Sequence, residues 1–193
     1  MCDVMQWGER RVSSSDGSDS RIERARRGEE NAIGALYAEL APGVAGYLRG
    51  SGVRDVEDLV GDVFVSMIRG LAGFRGDEAA LRRWVFTIAH HRLVDELRKD
   101  AVRAAHPPGN ERGTVLPEDL YDQVLDRIDA APAVSALAHV TREQRDAVLL
   151  RSVVGLSVAD TAAVLHKTPG AVKTLHRRAL AALTRLVDGE TVS

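Results

Sequence analysis

SVADTAAVLHKTPGAVKTLHRRAL, Ser157 to Leu180, is the stretch that decides the fold of this 193-residue chain. It opens with Ser157 and Asp160, an arrangement in which the hydroxyl caps a helix N-terminus and the acid favours its first turn. The helical run from Val158 to Leu165 is only about two turns long, and His166 with Lys167 interrupts it. Thr168 and Pro169 then start a new helix, with a hydroxyl at N-cap and a proline at N1, where its missing N–H costs nothing. A short helix, a tight turn and a longer helix predict a helix-turn-helix.

In the longer helix Val172, Leu175, Ala179 and Leu183 fall on one face. Gly170, Lys173, Thr174, Arg177 and Arg178 are left on the other. From Thr161 to Val187 there are five Lys or Arg, two His and no acid, in a chain of net charge −2. Positive charge gathered in this way suits a polyanion. The second helix of a helix-turn-helix enters the major groove, its N-terminal residues near base edges and its flanking cations on phosphates. A solvated basic face is the plainer reading of a charge run alone, and the capped geometry favours DNA over it. A further capping-box pattern, Thr141 with Gln144, places another helix start upstream.

The rest of the chain reads as helix too. Val56, Leu59, Val60, Val63, Phe64, Met67, Ile68 and Leu71 repeat on one wide helical face. Ile33, Leu36, Tyr37 and Leu40 recur at helical spacing before Pro42, which predicts a break or kink. After the loop Gly73 to Ala79, a helix from about Ala80 to Arg103 carries Leu81, Trp84, Val85, Ile88, Ala89, Leu93 and Leu97. Only 4% of the residues are aromatic and strand-favouring runs are scarce, so the expected class is all-α. The predicted layout is a disordered tail over 1–20, ending in SSSDGSDS, a helical domain over 21–104, a flexible Pro/Gly-containing linker over 105–117 and a helix-turn-helix domain over 118–188. Cys2 stands alone, so no intramolecular disulfide forms and a reducing, cytoplasmic setting is expected. No apolar run approaches the roughly 18 residues of a membrane span, and no signal-peptide pattern opens the chain; direct membrane insertion is not expected.

Two further clusters bear on function. Asp55, Asp58 and Asp62, with Glu57 beside them, form an acidic stripe along the apolar-faced helix. By itself it is a solvated face with acids suited to a first turn; beside a DNA-binding domain it also reads as a docking surface for a basic protein. In FRGDEAALRRWVFTIAHHRLVDELRK, Phe74 to Lys99, the groups Arg82, Arg83, His90, His91, Arg92 and Arg98 share a helix with Trp84 and Phe86. Cations beside rings suit single-stranded nucleic acid, although a lone Trp such as Trp84 is more often a core residue than a stacking platform. His91 and Asp95 could begin a metal site, but no further ligands stand at recognisable spacing, so neither metal nor cofactor is expected.

Together, DVEDLVGDVF, the Phe74 to Lys99 block, and VTREQRDAVLLRSVVGLSVADTAAVLHKTPGAVKTLHRRAL from Val140 resemble the second and fourth regions of the extracytoplasmic-function group of sigma-70 family factors. The resemblance implies a non-enzymatic promoter-specificity subunit whose partners are core RNA polymerase, promoter DNA and an anti-sigma factor. It implies that Asp55, Glu57, Asp58, Leu59, Asp62 and Phe64 grip the largest polymerase subunit. Phe74 and Arg75 would belong to the loop that receives a flipped base of the minus-ten element. Arg82, Arg83, Trp84, Thr87, His90, His91 and Arg98 would melt and hold that strand, with His91 where the family usually carries Asn. Gly170, Lys173, Thr174, Arg177 and Arg178 would read the minus-thirty-five element. Two other classes stay open on the residues alone: a stand-alone helix-turn-helix regulator, and a metal-dependent hydrolase using His90, His91 and Asp95.

Overall fold

The computed structural model describes residues 20–105 and 136–187. The expected tail up to residue 19, with Cys2, and the linker over 106–117 lie outside the described residues. Every element among the described residues is helical. Helix α1 (Arg21–Arg26) is capped by Ser20, whose Oγ accepts from the Glu23 N–H at 3.3 Å. Gly28, at φ 84°, turns the chain into α2 (Glu30–Gly50). Helices α3 (Val56–Leu71) and α4 (Glu78–Ala105) complete an N-terminal bundle. Its centre is Leu36, Tyr47, Leu48, Val60, Val63, Met67, Val85, Phe86 and Leu93, all essentially without solvent contact.

The periodicity placed α2, α3 and α4 but not the short α1, and three residues differ from expectation. Pro42 does not break α2, which runs through it as one helix. The proline withholds an N–H from the carbonyl four residues back, but Leu40, Ala41, Val44, Ala45, Tyr47 and Leu48 all bury around it, and packing outweighs that loss. Ile68 lies at the edge of the α3 face and is 47% exposed. Phe86 is a core residue, edge-on to Tyr47 with ring centroids 6.3 Å apart, and offers no surface for stacking a base.

The C-terminal bundle starts at Thr141, where the capping box is complete: Thr141 Oγ1 accepts from the Gln144 N–H and Gln144 Oε1 from the Thr141 N–H. Helix α5 (Arg142–Val148) runs directly into a π-helical turn, Leu149–Val153. Helices α6 (Val158–Val164) and α7 (Pro169–Val187) form the helix-turn-helix. The turn between them is a Schellman motif, with Lys167 N–H on the Ala162 carbonyl (2.9 Å) and His166 N–H on that of Ala163 (3.3 Å). His166 takes the left-handed conformation, φ 52°, that such a turn ordinarily gives to glycine.

The two bundles share one continuous apolar core. Helix α2 meets the π turn and α4 meets α6. The approach is closest at Gly50, where a Cβ would lie 2.6 Å from Leu149 Cδ2.

Pro42 is exposed, so its ring contributes little packing. Replacing it by alanine restores a helix donor without opening a cavity. Pro42→Ala is therefore expected to raise stability by about 1–3 kcal/mol, read as a higher urea midpoint. A lowered midpoint would show that the ring itself holds α2.

Candidate nucleic-acid interface

Helix α7 is placed by its inner face. Val172 and Ala179 are fully buried, and Leu175 and Leu183 pack against the core. Thr168 Oγ1 accepts from the Ala171 N–H at 3.2 Å, which fixes the helix start. Lys173, Arg177 and Arg178 are thereby turned to solvent, and they make no ion pair among the described residues. Gly170 is exposed in open space, so another chain can approach the backbone there. Thr174 is half-buried and its hydroxyl donates to the Gly170 carbonyl at 3.0 Å. His176 is turned inwards, its Nε2 3.0 Å from Ser152 Oγ. Burial first, then the nearby Arg151 charge, holds its pKa below the ordinary value, so it adds no charge to the outer face.

The N-terminal bundle brings Phe74 and Trp84 together, stacked at 5.2 Å with an interplanar angle of 21°. The Trp84 ring lies against Gly70, where a Cβ would meet it at 2.7 Å. Arg75 is folded onto its own loop, donating to the Phe74 carbonyl at 2.8 Å. Thr87 donates to the Arg83 carbonyl at 2.9 Å, and Arg98 lies exposed, 3.5 Å from Asp95. Arg82, Arg83 and His91 face the other bundle. Arg82 donates to the Val154 carbonyl at 2.8 Å, and Arg83 pairs with Asp160 at 2.9 Å. Burial opposes the Asp160 charge, but hydrogen bonds from Ser157 and Arg83 outweigh it and keep that carboxyl below its ordinary range. His91 stacks on His166, the rings 5.8 Å apart at 7° and the Nε2 atoms 3.5 Å apart.

His90 is turned away from this face. Its Nδ1 lies 2.8 Å from the buried Tyr47 hydroxyl, which in turn donates to Asp146 Oδ1 at 3.4 Å. Burial foremost, then Arg142, His91 and His166, lowers the His90 pKa to about 4, while burial pushes Asp146 up to about 6. Tyr47 is held well above its ordinary value by burial and by Asp146, so it stays a donor. With His90 neutral, the consistent chain runs His90 Nδ1–H to Tyr47 Oη and Tyr47 O–H to Asp146. Sequence reasoning missed Tyr47 and Asp146. Tyr47 reads as one more apolar position of α2, and nothing in RDAVLL marks its aspartate as buried.

On α3, Asp55, Glu57, Asp58 and Asp62 are exposed, and Asp55, Asp58 and Asp62 make no ion pair among the described residues. Leu59 and Phe64 lie on the opposite face, 7% and 4% exposed, and belong to the core. They hold the stripe in position and cannot themselves form its surface. Exposed Val65 and Ile68 continue the outer side of the helix. No group of three or more potential metal ligands occurs among the described residues, and among them no helix is long and apolar enough to cross a membrane.

Comparison with known proteins matches residues 36–103 to sigma-70 region 2 and residues 132–183 to sigma-70, region 4. The chain is similar to the ECF RNA polymerase sigma factor BldN of Streptomyces coelicolor, 32% identical over 172 residues, covering 88% of this chain and 65% of BldN. It is also similar to the ECF RNA polymerase sigma factor ShbA of Streptomyces griseus, 31% identical over 182 residues, covering 86% of this chain and 93% of ShbA. Among solved structures, CnrH in complex with the cytosolic domain of CnrY superposes with a TM-score of 0.65 at 26% identity, covering 89% of this chain and 97% of CnrH.

The buried pair has an unusual pH signature. Between about pH 4 and 6 the folded chain carries one proton on Asp146, and the unfolded chain carries one on His90, whose ordinary values are 3.8 and 6.5. The raised acid costs stability as pH rises from 3.8 to about 6; the depressed base costs stability as pH falls from 6.5 to about 4. The two slopes cancel across the shared window. Asp146→Asn should expose the histidine contribution, so that stability falls on acidification with a slope approaching about 1.4 kcal/mol per pH unit. His90→Asn should expose the opposite slope. Urea midpoints measured from pH 4 to 7 check this, and parallel profiles for both variants and wild type would contradict it.

Proposed function

Because the chain belongs to the extracytoplasmic-function group of the sigma-70 family, we propose that it binds core RNA polymerase and directs it to particular promoters. In this reading the N-terminal domain spans 21–104 and the helix-turn-helix domain 118–188. The outer acids of α3, Asp55, Glu57, Asp58 and Asp62, dock on a basic surface of polymerase. Lys173, Arg177 and Arg178 meet duplex DNA at the minus-thirty-five element, with Gly170 letting the backbone approach. Arg82, Arg83, His91 and Arg98 hold the separated minus-ten strand. Phe74 and Trp84 supply the ring surface beside them, where a stacked base contributes roughly 1–3 kcal/mol. The chemistry of RNA synthesis stays with polymerase, and this chain acts by binding, in the cytoplasm. CnrH was solved with the cytosolic domain of CnrY, and a comparable anti-sigma protein is the expected inhibitor here.

The observation that carries this reading is the exposed acidic stripe on the bundle that lacks the helix-turn-helix, in which Asp55, Asp58 and Asp62 make no ion pair among the described residues. A stand-alone regulator needs no such surface, and a hydrolase using His90 would need that ring free of Tyr47. Run-off transcription with core polymerase tests the assignment: promoter-dependent transcripts should require this chain. Duplex binding without any transcript would favour the stand-alone regulator.

Charge reversal at Asp58 and Asp62, each to Lys, should abolish capture of core polymerase while helix content and duplex DNA affinity persist, because neither side chain is buried. Unchanged capture would remove the docking role. For the other surface, Arg177→Ala should weaken duplex recognition by roughly 1–3 kcal/mol at particular base pairs. Affinity should also fall with salt, with a log–log slope on the order of −3 if three cations meet phosphates. A salt-independent affinity would argue against phosphate contact by α7.

A further inference from the structure

The α4 cations that meet the C-terminal bundle lie along the seam between the two; another pair of arginines works wholly inside the N-terminal bundle. Helix α1 has only six residues, too few to hold itself together. Ile22 and Ala25, 5% and 3% exposed, anchor it in the core. That anchor fixes where its cations reach. Arg21 spans two helices: its Nη1 lies 2.6 Å from a carboxylate oxygen of Glu39 on α2, and its Nη2 2.9 Å from one of Glu78, the first residue of α4. Arg26, at the other end of α1, pairs with Glu23 at 2.7 Å and donates through Nη2 to the Ala72 carbonyl at 3.4 Å. Ala72 is the C-cap of α3.

The two arginines therefore bracket the loop from Ala72 to Asp77. Arg26 holds its entry and Arg21 its exit. Within the loop the Phe74 N–H donates to the Leu71 carbonyl at 3.1 Å, and Arg75 donates to the Ala72 and Phe74 carbonyls at 3.1 and 2.8 Å. The Ala72 carbonyl lies past the reach of its helix's own N–H groups, and it takes one guanidinium from the loop and one from α1. Ala72, Gly73, Arg75, Gly76 and Asp77 are all exposed, and an exposed loop keeps freedom that binding has to remove. Bonds from outside the loop remove part of it in advance, with the Phe74 ring already laid on Trp84.

We propose that α1 is a brace for this loop: Arg21 and Arg26 are positioning residues that fix the segment between α3 and α4 in the form that receives an unstacked base, without touching DNA themselves. Their partners, Glu39, Glu78, Glu23 and the Ala72 carbonyl, all belong to the N-terminal bundle, so the brace is complete before any strand arrives. The ion pairs are partly exposed and add little to overall stability. Their effect falls on the freedom of the loop. This rests on the assignment of Phe74 and Trp84 to the separated strand.

The test uses the full chain and variants outside every proposed binding surface. Trp7→Phe leaves Trp84 as the one tryptophan, and its ring reports on the loop through Phe74. In that background Arg21→Ala with Arg26→Ala should raise acrylamide quenching of Trp84 while the far-UV helical signal persists. On a promoter from which the wild-type chain and core polymerase make run-off transcripts, the rate at which minus-ten thymines become permanganate-reactive should fall about tenfold, the loss expected when one or two side chains have to be ordered on binding. Capture of core polymerase and affinity for a minus-thirty-five duplex should stay within about twofold, because those surfaces share no partner with α1. Should the double variant lose its helical signal, Glu78→Gln releases the loop's exit and leaves α1 untouched, and the same readings apply. Unchanged quenching overturns the brace. Raised quenching with an unchanged opening rate overturns its part in base capture. Raised quenching in a chain whose wild type drives no run-off transcription would uphold the brace and remove the promoter reading alone.

Discussion

The buried hydroxyl of Tyr47 is the constraint around which both bundles are arranged. It lies on α2 with no solvent contact, yet it touches His90 of its own bundle and Asp146 of the other. A phenol buried in this way needs partners, because an unmet hydroxyl in an apolar interior costs about 1–3 kcal/mol. The geometry that supplies them sets the rotation of α4, through His90, and the seat of α5, through Asp146. A carboxylate next to that hydroxyl is expensive to keep charged, and Arg142, 3.9 Å from Asp146, only partly compensates for its burial. The balance leaves an acid that holds its proton up to about pH 6 beside a histidine that stays neutral down to about pH 4.

Around that point the contact is made by absence of side chains. Gly50 clears a path on α2, where a Cβ would lie 2.6 Å from Leu149 Cδ2 of the π turn, which is one residue wider than an α turn. A regular helix through Leu149–Val153 would carry its side chains at a different angle. Just past the turn, the Val154 carbonyl accepts from Arg82 at 2.8 Å. Arg145 adds bonds to the Leu137 and Ser51 carbonyls, so the entry to the C-terminal bundle is tied to the end of α2.

Charge is segregated along the same lines. Acids line the exposed side of α3 and cations the exposed side of α7, while on α4 Arg83 pairs with Asp160 of the other bundle and Arg98 lies by Asp95 of its own helix. The chain's small net charge hides two surfaces of opposite sign, each suited to a different macromolecule.

Much of this was legible in the residues alone. Helical periodicity placed α3 and α4, and the hydroxyls of Thr141, Ser157 and Thr168 placed the starts of α5, α6 and α7, because a cap is a local interaction whose partners lie within one turn. The split of α7 into an apolar and a basic face was equally local. What a one-dimensional pattern could not reveal was which partners lie far away in sequence. Nothing in a run of apolar positions says that Tyr47 reaches Asp146, that His90 is turned inwards while His91 is not, or that Phe86 is core and Trp84 stacks on Phe74. Pro42 read as a break because propensity is local, and packing along the rest of α2 overrode it. The sequence by itself determined the helices, their caps and the sign of charge on each face, since these depend on neighbours within a turn or two. Only the tertiary structure decided which cations stay free and which are consumed across the seam, because that depends on how two bundles distant in the chain come to share one core.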